Sequence, residues 1–555
     1  WLPAYQRSCL RADLIAGLTT WAVMVPEAMA YAGIAGVPPL IGLYTVPLPL
    51  IAYAVLGSSR TLVIGPDSAT ALVSAVTVAP LAALGTNYVA LTSALAMTVG
   101  LLFFGFGVFR MGWIANFVPI PVMRGFIQGM VWVTIVWQVP KILGLPEVSG
   151  RFFERLVQIA RDLPEANPAT TALGLTSLAL LLVLRRFLPR VPAALTVVVL
   201  AIAAASLLEL QDRGVALVGA IEAGLPSLGL PDVGLAELEA IVPGALAIVL
   251  LGYAETLGAA KAAAAVAGGD IDPNQELLSH GPANLGSALC SGFVVVGSLS
   301  KTSVALAAGA RTQAASLVNA GFVVLTLLFL MPLFKNLPYA TLGAVVVAAM
   351  TGLIDVGYLR RLATINRPEF AIAMTALVGV LTLGVLQGIG LGVALSIGLL
   401  VYQASYPATA ELGRLPHEHS YRDIARRANA TRIPGLLIFR FDGSLIFSSA
   451  NQFCDDLRAR IARAERPIHE VLVDAEPINL IDATALELVQ DLCLELRRRG
   501  IALGFARVRD PVRDQMRRAG LEAEVGEDRF YDTITDGVEA FAAGQELEDS
   551  AKKVP

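Results

Sequence analysis

Three ionisable side chains, Glu27, Glu255 and Lys301, sit inside long apolar runs. A lysine one turn into a membrane helix costs about 2.5–3.5 kcal/mol on insertion scales and normally serves a pathway or a pair. Lys301 therefore reads as a fixed positive charge beside an anion, or as half of a salt bridge whose obvious partner is Asp67; the two roles are compatible. A carboxyl buried without a cation keeps its proton to higher pH and is suited to exchange it near neutrality. Glu27 and Glu255 have no basic residue at helical spacing, apart from Lys261 beyond Glu255. Both are candidates for proton coupling, Glu255 first because it lies mid-span, with a structural hydrogen-bonding acid as the plainer alternative.

Small and hydroxylated residues follow two short extended runs. Leu62-Val63-Ile64-Gly65-Pro66 precedes Ser68, Ala69 and Thr70; Val294-Val295-Val296-Gly297 precedes Ser298, Leu299, Ser300 and Thr302. Non-helical backbone at membrane depth is tolerated only where it is buried in protein or lines a cavity. Interrupted segments at corresponding places of two halves are a pointer to a transporter binding site. The expected geometry is a pair of half-helices whose N-termini converge, so that free amides and dipole ends favour an anion. Ser68, Ala69, Thr70, Ser298, Leu299, Ser300 and Lys301 form that expected pocket. Hydroxyls at helix starts are also ordinary caps.

The elements that must position these residues follow from composition. Hydrophobic residues make up 55% of the chain, 15% are charged, and mean hydropathy is +0.67. Soluble domains carry about a quarter charged residues, and here the deficit is uneven. From Asp13 to about Tyr406, apolar stretches of roughly 20 residues recur, each long enough to span a bilayer. From about Glu411 onward Arg, Asp and Glu abound.

The apolar segments fall at about 13–36, 38–57, 67–84, 88–109, 119–144, 169–187 and 192–209, then at about 238–266, 274–292, 299–310, 313–334, 338–355, 368–388 and 389–405. The fold class is thus an α-helical polytopic membrane protein with 14 spans, arranged as a 7+7 inverted repeat and followed by a small α/β domain. Arg7, Arg11, Arg60, Arg110, Arg185, Arg186, Arg190, Arg360, Arg361 and Arg367 then share the side of the N-terminus, which the positive-inside rule makes cytoplasmic. Arg151, Arg155 and Arg161 are exceptions, in a stretch suited to an amphipathic helix at the outer surface. An even span count puts both termini in the cytoplasm of a multi-pass cell-membrane protein.

The expected domains are a transmembrane region over 1–410, a linker over 411–430, a soluble domain over 431–545 and a tail over 546–555. Net charge is −4 and no basic run interleaves with aromatics, which argues against a nucleic-acid partner. Cys9, Cys290, Cys454 and Cys493 show no ligand spacing, so no metal site and no disulfide frame is expected. Nothing at Trp1 reads as a cleaved signal peptide. No nucleophile–base pair stands out in the spans, which argues against an enzyme, and no cofactor is implied.

Longer motifs carry a resemblance. Pro26-Glu27-Ala28-Met29-Ala30-Tyr31-Ala32, the stretch from Pro38-Pro39 through Gly42-Leu43-Tyr44 to Gly57-Ser58-Ser59-Arg60 and Gly65-Pro66, Asp272-Pro273-Asn274-Gln275-Glu276-Leu277 with Gly281 and Asn284, and Gly297-Ser298-Leu299-Ser300-Lys301-Thr302 occur in this order. They resemble the SulP (solute carrier 26) anion transporter family over nearly the whole chain. The resemblance implies a homodimeric carrier with a moving core (about 13–110 and 238–335) and gate (about 111–210 and 336–405). It places the anion between the third and tenth spans, with Glu27 and Tyr31 lining the cavity. The chain departs from the family pattern at Lys301, often Arg, at Glu27, typically Gln, and at Asp67, usually uncharged. The Asp272–Asn284 loop reads as turn and cap chemistry, hence a structural role.

In the tail, 436–441, 471–474 and 501–505 read as buried strands and 449–464, 483–499 and 511–519 as amphipathic helices. This region resembles the STAS domain of such carriers. Thr484, in Ile481-Asp482-Ala483-Thr484-Ala485, matches the phosphorylatable position of stand-alone antagonists, where a phosphate would sit on a helix N-terminus. Asp482 is equally a plain helix cap. The function expected is secondary active transport of a small inorganic anion, sulfate foremost, in symport with protons. The alternatives are a bicarbonate or dicarboxylate carrier coupled to sodium, or an anion-sensing receptor signalling through the tail to a cytoplasmic protein partner.

Overall fold

The computed structural model describes residues 5–83, 85–117, 119–146, 150–188, 191–220, 223–416 and 420–551. The chain divides into two compact units, 1–396 and 397–555.

The first unit is helical, and its helices follow the order of the expected apolar segments. They are α1 (Leu10–Ala35), α2 (Pro39–Tyr44), α3 (Pro47–Leu56), α4 (Ser68–Ala82), α5 (Tyr88–Val108), α6 (Ile120–Leu143), α7 (Phe152–Asp162), α8 (Pro168–Phe187) and α9 (Ala193–Leu207). After a long connection come α10 (Leu235–Ala267), α11 (Pro273–Leu289), α12 (Leu299–Ala307), α13 (Ala314–Leu325), α14 (Tyr339–Thr351), α15 (Val356–Ile365), α16 (Arg367–Thr382) and α17 (Val385–Ser405), the last of which runs across the boundary at 396 into the second unit. Eight helices among the described residues are long and apolar enough to cross a membrane. Of the shorter ones, α4 is buried along most of its length, while α9 and α12 each keep one side exposed.

Glycine lets several helices approach closely, as expected where packing rather than hydrophobicity joins helices in lipid. A Cβ at Gly42 would strike the Ala28 carbonyl, and one at Gly125 the Ala373 carbonyl. The second span is thus seated on α1, and α6 on α16. Gly384, at φ 118°, makes the turn between α16 and α17, a few residues before the boundary expected from hydropathy. Asp13, fully buried, accepts hydrogen bonds from the Arg311 and Thr312 amides and the Thr312 hydroxyl, tying the start of α1 to the start of α13.

Two short strands complete the unit. β1 (Ile64–Pro66) pairs antiparallel with β2 (Val295–Gly297), Ile64 opposite Gly297 and Pro66 opposite Val295. Both are buried and pair with each other's backbone, as irregular backbone within a membrane protein requires. Asn284 on α11 holds β2 with both amide atoms, donating to Val295 O and accepting from Val295 N at 2.9 Å each. Asp272 caps α11 through the Asn274 and Gln275 amides. Buried Glu276 accepts from the Tyr53 hydroxyl and from the Ser58 amide and hydroxyl. The Asp272–Asn284 stretch thus acts as cap, anchor and clamp.

The second unit holds a six-stranded sheet in the order β4-β3-β5-β6-β7-β8. Its strands are β3 (Thr409–Arg414), β4 (Tyr421–Asp423), β5 (Leu436–Phe441), β6 (Glu470–Asp474), β7 (Ala502–Ala506) and β8 (Phe530–Tyr531). β5 to β8 run parallel, and β3 lies antiparallel to β4 and β5. Helices α18 (Ala450–Arg463), α19 (Ala483–Arg498), α20 (Asp510–Arg518) and α21 (Leu521–Val525) share one core with one sheet face. Helix α22 (Ile534–Ala551) covers the other face. The expected linker over 411–430 is corrected here: it supplies most of β3 and all of β4, and β3 pairs with β5. Too few apolar residues alternate there to betray an edge pair. Of the expected tail, 546–551 continue α22, and 552–555 lie outside the described residues.

Candidate functional site

The β1–β2 clasp sets two helix starts side by side. The Val63 carbonyl accepts from the Ser298 amide at 3.0 Å, and the Val63 amide donates to the Thr302 hydroxyl at 3.0 Å. The two starts differ. Asp67 caps α4, accepting from the Ala69 amide at 2.9 Å, whereas Ser298 makes no side-chain cap on α12. A carboxylate already occupies one dipole end; the first-turn amides of α12 carry no such anion.

Both starts line an open cavity of about 950 Å³. Of the expected site residues, Tyr31, Ser68, Ala69, Ser298, Leu299 and Ser300 face it, together with Glu27, Asp67 and Glu255. Thr70 and Lys301 do not line it and are buried.

Lys301 takes the salt-bridge role, one of the two its type suggested, but with another partner. Its ammonium donates to the Pro66 carbonyl at 2.9 Å, lies 3.0 Å from Glu27 Oε2 as an ion pair, and stands 5.0 Å from the centre of the Tyr31 ring. Its salt-bridge partner is therefore Glu27, and the expected pairing with Asp67 is corrected. Nor is Glu27 the unpartnered acid of the sequence reading. Glu27 and Lys301 lie on α1 and α12, joined only through the fold, so no helical spacing could show them to be neighbours. Glu255 faces the cavity with no ion-pair partner within 4 Å among the described residues.

Two further cations face the cavity: Arg185 at the end of α8, which the sequence reading used only for topology, and Arg124 on α6, which it did not single out. Arg124 lies 3.5 Å from Asp355 and 5.5 Å from the centre of the Tyr358 ring. Arg185 donates one guanidinium N–H to the Ala348 carbonyl and has no carboxylate within 4 Å among the described residues. The available signal was a basic pair, Arg185-Arg186, ending an apolar helix, which orientation rules explain equally well.

In the second unit Asp482 accepts from the Ala485 amide at 2.9 Å and from the Phe447 amide at 2.7 Å, capping α19 and tying down a neighbouring loop. Thr484 is exposed in the first turn of the same helix.

Architecture and cavity together define a helical membrane transporter fold with an appended STAS domain. Residues 10–376 match the sulfate permease family and residues 427–537 the STAS domain; the chain belongs to the sulfate permease family. A probable sulfate transporter of Mycobacterium tuberculosis is 37% identical over 538 residues, covering 97% of this chain and 96% of that protein. The chloroplastic sulfate transporter 4.1 of Arabidopsis thaliana is 29% identical, covering 99% and 83%. The structure of murine solute carrier 26 family member A9, described as an anion transporter in the inward-facing state, superposes with a TM-score of 0.89 at 22% identity, covering 98% of this chain and 93% of that one.

Proposed function

We propose that this protein carries sulfate across the cell membrane by alternating access, in symport with protons. The observation that carries the reading is the asymmetric cavity. Its lining includes the uncapped start of α12, Ser298 to Ser300, and the guanidinium-bearing Arg185 of α8. An oxyanion there meets backbone amides, two hydroxyls and a guanidinium, the donor types that replace hydration around a tetrahedral dianion. Sulfate is preferred because the relatives of highest similarity reported above are named sulfate transporters.

Proton coupling rests on Glu255, a cavity-facing carboxyl without an ion-pair partner among the described residues. Sulfate entering with protons brings little net charge, and a carboxyl that is neutral when the anion arrives removes a repulsion. Glu27 is assigned to holding Lys301 rather than to coupling. Residues 13–110 and 238–335 move as a core against a gate of 111–210 and 336–405. The chain forms a homodimer, with both termini and the STAS domain in the cytoplasm. Asp482 acts there as a cap, and Thr484 offers a site for phosphate or a protein partner.

Purified protein in vesicles, given labelled sulfate and an inward proton gradient, accumulates the label above equilibrium and ceases to accumulate it when the proton gradient is collapsed. Accumulation driven by sodium instead, or saturable binding without flux, overturns the reading.

A further inference from the structure

His280 on α11 and Thr256 on α10 are wholly buried and belong to neither the cavity wall nor the ion pair. The imidazole is held by three elements. Tyr53 of α3 and Phe103 of α5 each place a ring centre 5.5 Å from it, and its Nδ1 lies 2.8 Å from the Glu276 carbonyl. The opposite nitrogen, Nε2, lies 3.2 Å from the Thr256 hydroxyl, and that hydroxyl accepts from the Gly297 amide at 2.9 Å. Gly297 is the last residue of β2, one position before Ser298.

The polarity of this chain of bonds follows from its ends. A carbonyl only accepts, so Nδ1 carries the proton and donates to Glu276. In the neutral ring Nε2 is then an acceptor and takes the Thr256 hydroxyl proton. A hydroxyl whose proton is directed toward Nε2 turns its lone pairs elsewhere, and the Gly297 amide meets one. Close packing makes this bond demanding: a Cβ on Gly297 would crowd the Thr256 backbone, and one on Gly252 would strike Val296. Helix α10 and β2 lie flat against each other through glycine, leaving the hydroxyl as the directional tie.

We infer that His280 and Thr256 are positioning residues for the anion site, orienting the Gly297 amide and through it the backbone from Ser298 to Ser300 that faces the cavity. The inference rests on the anion-carrier reading for its functional consequence, but not for the bond chain itself. An amide array binds a small anion well only when held in the bound geometry beforehand. Removing the hydroxyl leaves a buried Gly297 N–H unsatisfied and frees the start of α12 to shift.

The test uses the full chain with Thr256→Val and His280→Leu, and with Thr256→Ser and His280→Gln, which keep the hydroxyl and an acceptor at the Nε2 position. In vesicles the first two raise the half-saturating sulfate concentration about tenfold with a smaller change in maximal rate, the expected weight of one buried hydrogen bond. The conservative pair stays close to wild type, and the double variant Thr256→Val/His280→Leu is no worse than the weaker single. Amide exchange in detergent over 295–301, which needs no substrate, quickens in the first two variants only.

Unchanged exchange in Thr256→Val and His280→Leu overturns the bond chain. Quickened exchange with an unchanged half-saturating concentration overturns the positioning role. Wild-type vesicles with no saturable uptake overturn the carrier reading instead, and exchange still decides the bond chain.

Discussion

The Lys301 ammonium and the Glu27 carboxylate lie 3.0 Å apart with side chains 0% and 5% exposed, so a nearly dry charge pair joins a carboxylate of the cavity wall to an ammonium buried behind it. A pair so dry is costly to make and costlier to halve. Removing one partner of a buried pair costs about 3–5 kcal/mol, whereas replacing both by neutral groups of similar size is often neutral. Lys301→Met and Glu27→Gln are each expected to lower the melting temperature of the purified protein and to abolish uptake. The double variant recovers most of the melting temperature. A double variant no more stable than Lys301→Met would show that the pair does not couple the two residues.

Glu255 supplies the second prediction. It faces the cavity with no ion-pair partner within 4 Å among the described residues, so Gln keeps its shape and removes only the exchangeable proton. Glu255→Gln vesicles are expected to exchange labelled sulfate for unlabelled sulfate while no longer concentrating it when the outside is acidic. Concentration of label that still follows the imposed pH difference would take Glu255 out of the coupling step.

Arg185 is the cavity cation with no carboxylate within 4 Å among the described residues, and a guanidinium bond to an oxyanion is worth about 1.5–3 kcal/mol. Since about 1.4 kcal/mol is a factor of ten in affinity, Arg185→Gln should raise the half-saturating sulfate concentration by roughly 10- to 100-fold. Arg185→Lys recovers only part, because an ammonium lacks the planar fork. Arg124 already shares its charge with Asp355, and Arg124→Gln should move the same quantity less. Equal effects at both positions would remove the special standing of Arg185.

The contrast between Lys301 and Arg185 shows what was legible in the sequence. Helix order, the two extended breaks and the small residues after them could be read, because spans have a length set by the bilayer and irregular backbone in lipid must be built in pairs. The partner of Lys301 could not, because Glu27 is brought to it by the packing of α1 against α12, which hydropathy does not encode. Arg185 was visible only as an orientation signal, since its place on the cavity wall depends on how α8 is rotated. In the tail, β5, β6 and β7 stood out as buried runs, while β3 and β4, half-buried at the sheet edge, passed for a linker.

The last prediction concerns that tail, whose sheet has a core on each face and which is expected to fold when expressed as residues 407–551. Glu522 is 3% exposed and receives Arg513 and Arg517, each at 2.9 Å. Burial alone would raise its pKa, but the hydrogen bonds and charges of the two guanidiniums outweigh burial and hold the carboxyl below its ordinary value. A depressed folded pKa contributes stability above the unfolded pKa, about 4.3 for Glu, and that stability is lost as pH falls through the folded value. Glu522→Gln should therefore cost about 2 kcal/mol at pH 7, given that both arginines stay partly solvated. In a domain of this size that is roughly 4–8 °C in melting temperature. The gap between wild type and variant narrows as pH drops below about 4, where the wild-type carboxyl takes up its proton. Thermal melts across pH 3–8 check it; a gap that stays constant down to pH 3 would mean that Glu522 stabilises the domain by packing and not by charge.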